Sequence, residues 1–115
     1  MTSQAAGAGG SSDNCWNSNQ GTPQWIQLQL QEINIQRVEF QFQGGFVPSQ
    51  IQVLLYSVEE NEFKVQDIFY PLDNNDVQSF STNVSISGQG KLRFHFPEST
   101  DFYGRIVCYS LGIYS

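Results

Sequence analysis

From Trp25 the chain alternates, with Ile26, Leu28 and Leu30 set against Gln27, Gln29 and Gln31. A period of two puts successive side chains on opposite faces of an extended backbone, so this stretch predicts a half-buried strand. "NIQRVEFQFQ" repeats the pattern, with Val38, Phe40 and Phe42 against Glu39, Gln41 and Gln43. "GGFVPS" then breaks the run, because Gly44 and Gly45 allow positive φ and Pro48 has no N–H for a ladder. "QIQVLLYS" reads as a third strand with Ile51, Val53 and Leu55 on one face. The acidic "VEENEF" reads as a hairpin tip, "FKVQDIFY" as the return strand and "PLDNND" as a turn-rich loop. "VQSFSTNVSIS" holds one or two weaker strands, and "GQG" is expected to turn the chain into "KLRFHF", where Leu92, Phe94 and Phe96 align. "PESTDFYG" is another loop, and "RIVCYSLGIYS" closes the domain. No amphipathic helix and no internal repeat is visible. Short strands punctuated by Gly, Pro and Asn predict an all-β, antiparallel sandwich or barrel.

Composition narrows this picture. At 115 residues the chain holds one core, not two. "MTSQAAGAGGSS" has no hydrophobic period, so residues 1–12 are expected to be a disordered leader and 13–115 the domain. Five basic residues face eleven acidic ones, a formal charge of −6. A nucleic-acid binder needs a positive footprint for phosphates, and none is visible, so direct DNA or RNA binding is not expected. The same balance disfavours anionic membranes. Cys15 sits beside a tryptophan and Cys108 in an apolar run. Two such cysteines read as separate, semi-buried thiols, with a bridge open only if the chain ends meet. The N-terminus shows no secretory signal and no run reaches the length of a membrane span, so nucleus and cytoplasm are the expected locations. "NVS" at Asn83 matches the glycosylation acceptor pattern, a short pattern that is common by chance.

Candidate chemistry is sparse. The one histidine, His95, alternates with Phe94 and Phe96 in "RFHF" and reads as a surface or edge residue. Any Ser-His-Asp or Cys-His arrangement would need it, and no nucleophile elbow accompanies it. Glu59, Glu60 and Glu62 form a charge run of the solvated kind. Asp73 and Asp76 offer oxygen donors to calcium, yet without a calcium loop's ligand spacing, so turn formation is the simpler account. Zinc is disfavoured because two cysteines and one histidine are scattered. Neither catalysis nor a cofactor is expected.

Three segments are more distinctive: "CWNSNQGTPQWIQLQL", "VEFQFQGGF" and "STDFYGRIVCYSLGIYS". Together with "VLLYS" they resemble the discoidin, or factor V/VIII type C, family over residues 13–115. The resemblance implies a galactose-binding-like, antiparallel jelly-roll β-sandwich. Family members carry a strand before the acidic loop. Here "MTSQAAGAGG" stands in its place, so that strand is expected to be degenerate or missing. The occasional calcium site of the family retains only Asp13 of its acidic loop. "CWNS", "QFQGGF", "FYP" with "DNN", and "TDF" with "GR" are similar to small intracellular members. The resemblance implies a nuclear, non-enzymatic adaptor or repressor that binds an orphan nuclear receptor and lowers its transactivation.

In such sandwiches ligands meet loops at one end. That implies a partner site from Trp16, Asn17 and Ser18, from Gly44, Gly45 and Phe46, and from Asp101, Tyr103 and Arg105. Phe46 and Tyr103 would be aromatic anchors. Arg105 would be a bidentate donor to a carboxylate, unless it pairs with Asp101 to pin the loop. The alternative is a module for carbohydrate or lipid head groups, using Trp16, Asn17 and Asp101. Of the two tryptophans, Trp16 is expected to plug the barrel end and Trp25 to pack over the sandwich edge or lower core.

Overall fold

In a computed structural model, residues 3–4 and 16–115 are described. Seven strands follow one another: β1 Ser3–Gln4, β2 Trp16–Asn17, β3 Gln24–Phe42, β4 Ile51–Ser57, β5 Glu62–Phe69, β6 Val77–Phe96 and β7 Val107–Tyr114. They pair in the order β2-β7-β3-β6-β4-β5, all antiparallel, while β1 lies parallel to the start of β3.

Two long strands organise everything. β3 and β6 are 19 and 20 residues and run beside each other from Gln24↔Phe96 to Gln41↔Val77. Register shifts at Gln31/Ile33 and Ile35/Arg37 interrupt that ladder and let it bend, as bulges do. The first half of β3 and the second half of β6 join β4 and β5 in one layer. The remaining halves join β7 and β2 in the other. The result is a β-sandwich.

Alternation then fills the space between the layers. Ile26, Leu28, Phe40, Phe42, Phe94 and Phe96 are all buried. The ring of Phe40 meets Phe94 edge-on at 5.2 Å, and Phe42 meets Phe96 edge-on at 6.2 Å. Phe69 of β5 stacks on Phe80 of β6 across the layers at 4.7 Å. Each such pair adds roughly 0.5–1.5 kcal/mol to the burial itself.

Two expectations are corrected. The segments "QWIQLQL" and "NIQRVEFQF" are one strand, not two. Likewise "GQG" does not turn the chain, because β6 runs through it. Gly88, at φ 69°, sits in the bulge opposite Glu32, and its N–H is 3.4 Å from the Glu32 carboxylate. Glycine serves a bulge as readily as a turn, and the local sequence is the same for both.

The first described strand, Ser3–Gln4, pairs with Trp25 and Ile26. Among the described residues, the same edge of β3 is without a partner from Gln27 to Gln36. The rest of the expected leader, with Asp13 and Cys15, lies outside the described residues.

Candidate functional site

The three expected loops do converge at one end of the sandwich. Ser18 and Ile106 clasp each other. The Ser18 N–H donates to the Ile106 carbonyl at 2.9 Å, and the Ile106 N–H donates to Ser18 Oγ at 2.8 Å. The Val107 N–H donates to the Phe46 carbonyl at 3.1 Å, and the Gly21 N–H to the Tyr103 carbonyl at 2.6 Å. The Arg105 guanidinium lies 5.1 Å from the Phe46 ring centre and 5.5 Å from that of Tyr103. One cation over two rings ties the second loop to the third.

Arg105 is spent inside the loop. Its Nε and Nη2 donate to the two Asp101 oxygens at 2.9 and 3.3 Å, and its backbone N–H donates to the same carboxylate at 3.0 Å. These bonds hold the Asp101 carboxyl below its ordinary value of 3.8, the Arg105 side chain contributing most. The pairing that pins the loop is the one observed, so the fork is not held out to a partner. Ser99 braces the same turn. Its hydroxyl donates to the Arg105 carbonyl at 2.6 Å and accepts the Asp101 N–H at 3.0 Å.

The glycine turn is held from a distance. The Gly44 N–H donates to Asn75 Oδ1 at 2.7 Å and the Gly45 N–H to Asp73 Oδ1 at 2.8 Å. Asn74 Oδ1 accepts the Asp76 N–H at 2.9 Å. Side-chain oxygens of Asp73, Asn74 and Asn75 therefore brace turns, the simpler account given for Asp73, while Asp76 takes part through its backbone N–H.

Trp16 belongs to the core, not the rim. Its residue is 7% exposed, and its ring leans on Phe96 at 5.9 Å. It closes the barrel end as expected and offers no face to a partner or a sugar. Asn17 is exposed, and Ser18 is turned to its clasp.

What the end displays instead is Phe102, 92% exposed, with its ring edge-on to Tyr103 at 5.2 Å. An open cleft of about 320 Å³ lies beside them, lined by Gly21, Thr22, Glu98, Ser99, Asp101 and Gly104 as well as the two rings. Phe102 lies inside the expected third loop but was not singled out there as an anchor. The residues around it in "TDFYG" are ordinary loop formers, and nothing in the string separates an exposed phenylalanine from a buried one.

Gln24 was missed too. It is buried at the mouth of β3, and its Nε2 donates to the carbonyls of Asn19 and Gly21 at 3.2 and 2.8 Å. It fixes the cleft's Gly21 side just before the cis Thr22–Pro23 bond.

The other tryptophan faces outward from the sheet. Trp25 is half-buried, its indole 4.6 Å from the Arg93 guanidinium. His95 neighbours it across the ladder and is half-buried, not a freely solvated surface residue. Burial, with the charge of Arg93 added, pulls His95 below its ordinary value of 6.5.

No family model matches the chain. Among solved structures, the chitosan-binding module 1 of a chitosanase/glucanase from Paenibacillus sp. IK-5 superposes with a TM-score of 0.69. The match covers 92% of this chain and 80% of that one at 19% identity, which shows the galactose-binding-like sandwich and no more. The sequence relatives are nearer. Nuclear receptor 2C2-associated protein of Danio rerio is 42% identical over 102 residues, spanning 88% of this chain and 71% of its own length. The Xenopus laevis protein of that name is 40% identical over 106 residues, spanning 90% and 75%. The Homo sapiens protein is 36% identical over 102 residues, again spanning 88% and 71%. The chain therefore belongs to the family of nuclear receptor 2C2-associated proteins.

Proposed function

We propose that this chain is a non-enzymatic adaptor of nucleus and cytoplasm. It binds a nuclear receptor through the loop end and lowers that receptor's transactivation. The observation that carries the reading is the exposed Phe102–Tyr103 pair, standing on a loop that Asp101, Arg105 and Ser99 hold rigid. A rigid aromatic pair gives up little conformational freedom on docking and supplies most of the apolar area a hot spot needs. The relatives' shared name supports a nuclear receptor as the partner. Asn17, Gly45 and the edge of Phe46 form the rim around this anchor, and Arg105 acts by positioning Tyr103.

The test is binding of the purified chain to purified nuclear receptor 2C2, beside a reporter assay. Phe102→Ser with Tyr103→Ser removes two exposed rings and the Arg105 contact to one of them, while Asp101 still pins the loop, so the melting temperature should fall only slightly while affinity falls at least tenfold and repression is lost. A folded double variant that binds as wild type removes the loop end as the site. No binding by the wild type removes the receptor as the partner.

A second reading has one observation in its favour: the two rings flank a polar cleft large enough for a sugar ring. Under it, the loop end takes a carbohydrate. A glycan array answered at micromolar levels by the wild type, and silent for the same double variant, would put it first.

A further inference from the structure

The chain has five basic residues, and three of them are in ion pairs: Arg37 with Glu39, Lys64 with Glu60, and Arg105 with Asp101. The remaining two are Lys91 and Arg93, and among the described residues neither has a carboxylate within ion-pair distance. They are two positions apart on β6, so both side chains leave the same face of the sheet. That face points away from the core, since Leu92 and Phe94 between and beyond them are fully buried.

The register identifies what surrounds them. Arg93 lies between Gln27 of β3 and Leu54 of β4, and Leu54 is opposite Val65 of β5. Lys91 lies opposite Gln29. The next outward row holds Trp25, His95, Gln52 and Ile68. Tyr56 and Phe63 pair at the far end. No aspartate or glutamate occupies an outward position of these rows, in a protein of net charge −6.

The two cations are instead held by π faces and an amide. The Arg93 guanidinium is 4.0 Å from the Phe63 ring centre and 4.6 Å from the Trp25 ring, and two of its N–H groups donate to Gln27 Oε1. Lys91 Nζ is 5.4 Å from the Tyr56 ring centre. Aromatic faces and one amide oxygen fix the direction of the charge without neutralising it. Burial lowers the Arg93 pKa, yet a guanidinium in a protein stays protonated, so it remains a cation. Beside it Val65 is 55% exposed and Ile68 38%, an apolar margin along an edge strand.

We propose that this outer face is a second docking surface, separate from the loop end, and that it takes an extended acidic peptide segment of a protein partner. Carboxylates of that segment pair with Arg93 and Lys91, and apolar side chains between them cover Val65, Leu54 and Ile68. The charge complementarity is local. The rest of the molecule is acidic and repels the same segment, so only this face can receive it. An anionic polysaccharide meets the cations but not the apolar margin, which is why a peptide of mixed acidic and apolar character is the occupant. The inference does not depend on the receptor reading.

The probe is a fluorescein-labelled peptide of alternating glutamate and leucine, about ten residues long, titrated with the full chain at low and at physiological salt. Binding should weaken with salt, should fall at least tenfold when glutamine replaces the peptide's glutamates, and should fall at least tenfold in Lys91→Gln with Arg93→Gln. Because Arg93 also packs between two rings, Lys91→Gln alone is the second variant. Lys91 is exposed, so the fold stays and affinity should drop at least threefold. In nitrogen-15 spectra the peptide should shift the Trp25 indole signal and leave that of Trp16. Phe102→Ser with Tyr103→Ser should bind the peptide as wild type does, which separates this surface from the loop end.

Several results overturn the proposal. They are no binding by the wild type, equal binding by both charge variants, and binding of a heparin fragment with none of the peptide. A fourth is self-association in sedimentation that is lost in Lys91→Gln, since the exposed acidic hairpin tip of a second copy would then be the occupant.

Discussion

His95 shows how one residue's position becomes a property of the protein. It leaves the sheet on the face opposite Phe94 and Phe96, in the row of Trp25 and Gln52. Its Nδ1 is buried and makes no hydrogen bond among the described residues. Arg93 is two positions away on the same face and adds repulsion to the cost of burial, so the folded chain resists protonating this ring. The unfolded chain does not, and its histidine titrates near the ordinary 6.5. Above that value both states are neutral and the residue is silent. Below it the unfolded state takes up a proton that the folded state refuses, and stability falls until the pH reaches the lowered folded value. Urea midpoints measured from about pH 7.5 down to about pH 5 should therefore decline, and His95→Gln should flatten the curve over that window. A decline of equal slope in the variant would place its cause elsewhere. Asp101 does not enter this range. Its folded carboxyl is also depressed, but from 3.8, so its contribution is lost only at more acid pH.

At the scale of elements, the loop end depends on a close approach between chain segments far apart in sequence. Gly104 has φ +79°, and a Cβ placed on it would stand 2.9 Å from the Gly21 carbonyl carbon. The bond between Gly21 and Tyr103 closes that approach. Gly104→Ala meets a conformational cost and a backbone collision together, and should lower stability by about 1–3 kcal/mol. It should also part the Gly21 and Tyr103 loops that line the cleft. Denaturant unfolding should show the lower midpoint at unchanged slope, and hydrogen exchange should be faster at the Gly21 amide. An unchanged midpoint would mean that the loop relaxes freely and is not the rigid platform the receptor reading needs.

The strands themselves were readable from alternation, because the period of two in "WIQLQL", "VEFQF" and "KLRFHF" is the burial pattern. Their continuity was not. A bulge at Gly88 looks like a turn at Gly88, and only the β3 partner decides. The Asp101–Arg105 pairing was within reach, being four residues apart in one loop. The Asp73 and Asn75 contacts to Gly45 and Gly44 span 28 and 31 residues and leave no local trace. For the same reason Arg93 read as an ordinary strand cation. Its ring partners come from β3 and β5, and only the folded sheet sets them beside it.

For the whole molecule the decisive feature is that β3 and β6 belong to both layers. In a sandwich whose layers share no strand, one layer can loosen while the other stays paired. Here the β3–β6 pair of each layer continues into the other through a bulged ladder, and Phe40, Phe94 and Phe96 cross between them. Loss of either layer removes the partner of the other's core rings, so the domain should unfold as one unit. The two tryptophans test this, because each reports on a different layer. Trp16 packs beneath β7 against Phe96, while Trp25 lies on the outer face beside Arg93. Trp25→Phe leaves Trp16 as the only indole, and Trp16→Phe leaves Trp25. Trp16→Phe removes buried volume and should shift the midpoint downward. The comparison is therefore made within each variant, between its single tryptophan signal and its far-ultraviolet circular dichroism. The two curves should coincide in both variants. If the Trp25 signal moved at lower denaturant than the dichroism while the Trp16 signal did not, the outer sheet would be opening alone, and the continuity of β3 and β6 would not make the sandwich cooperative.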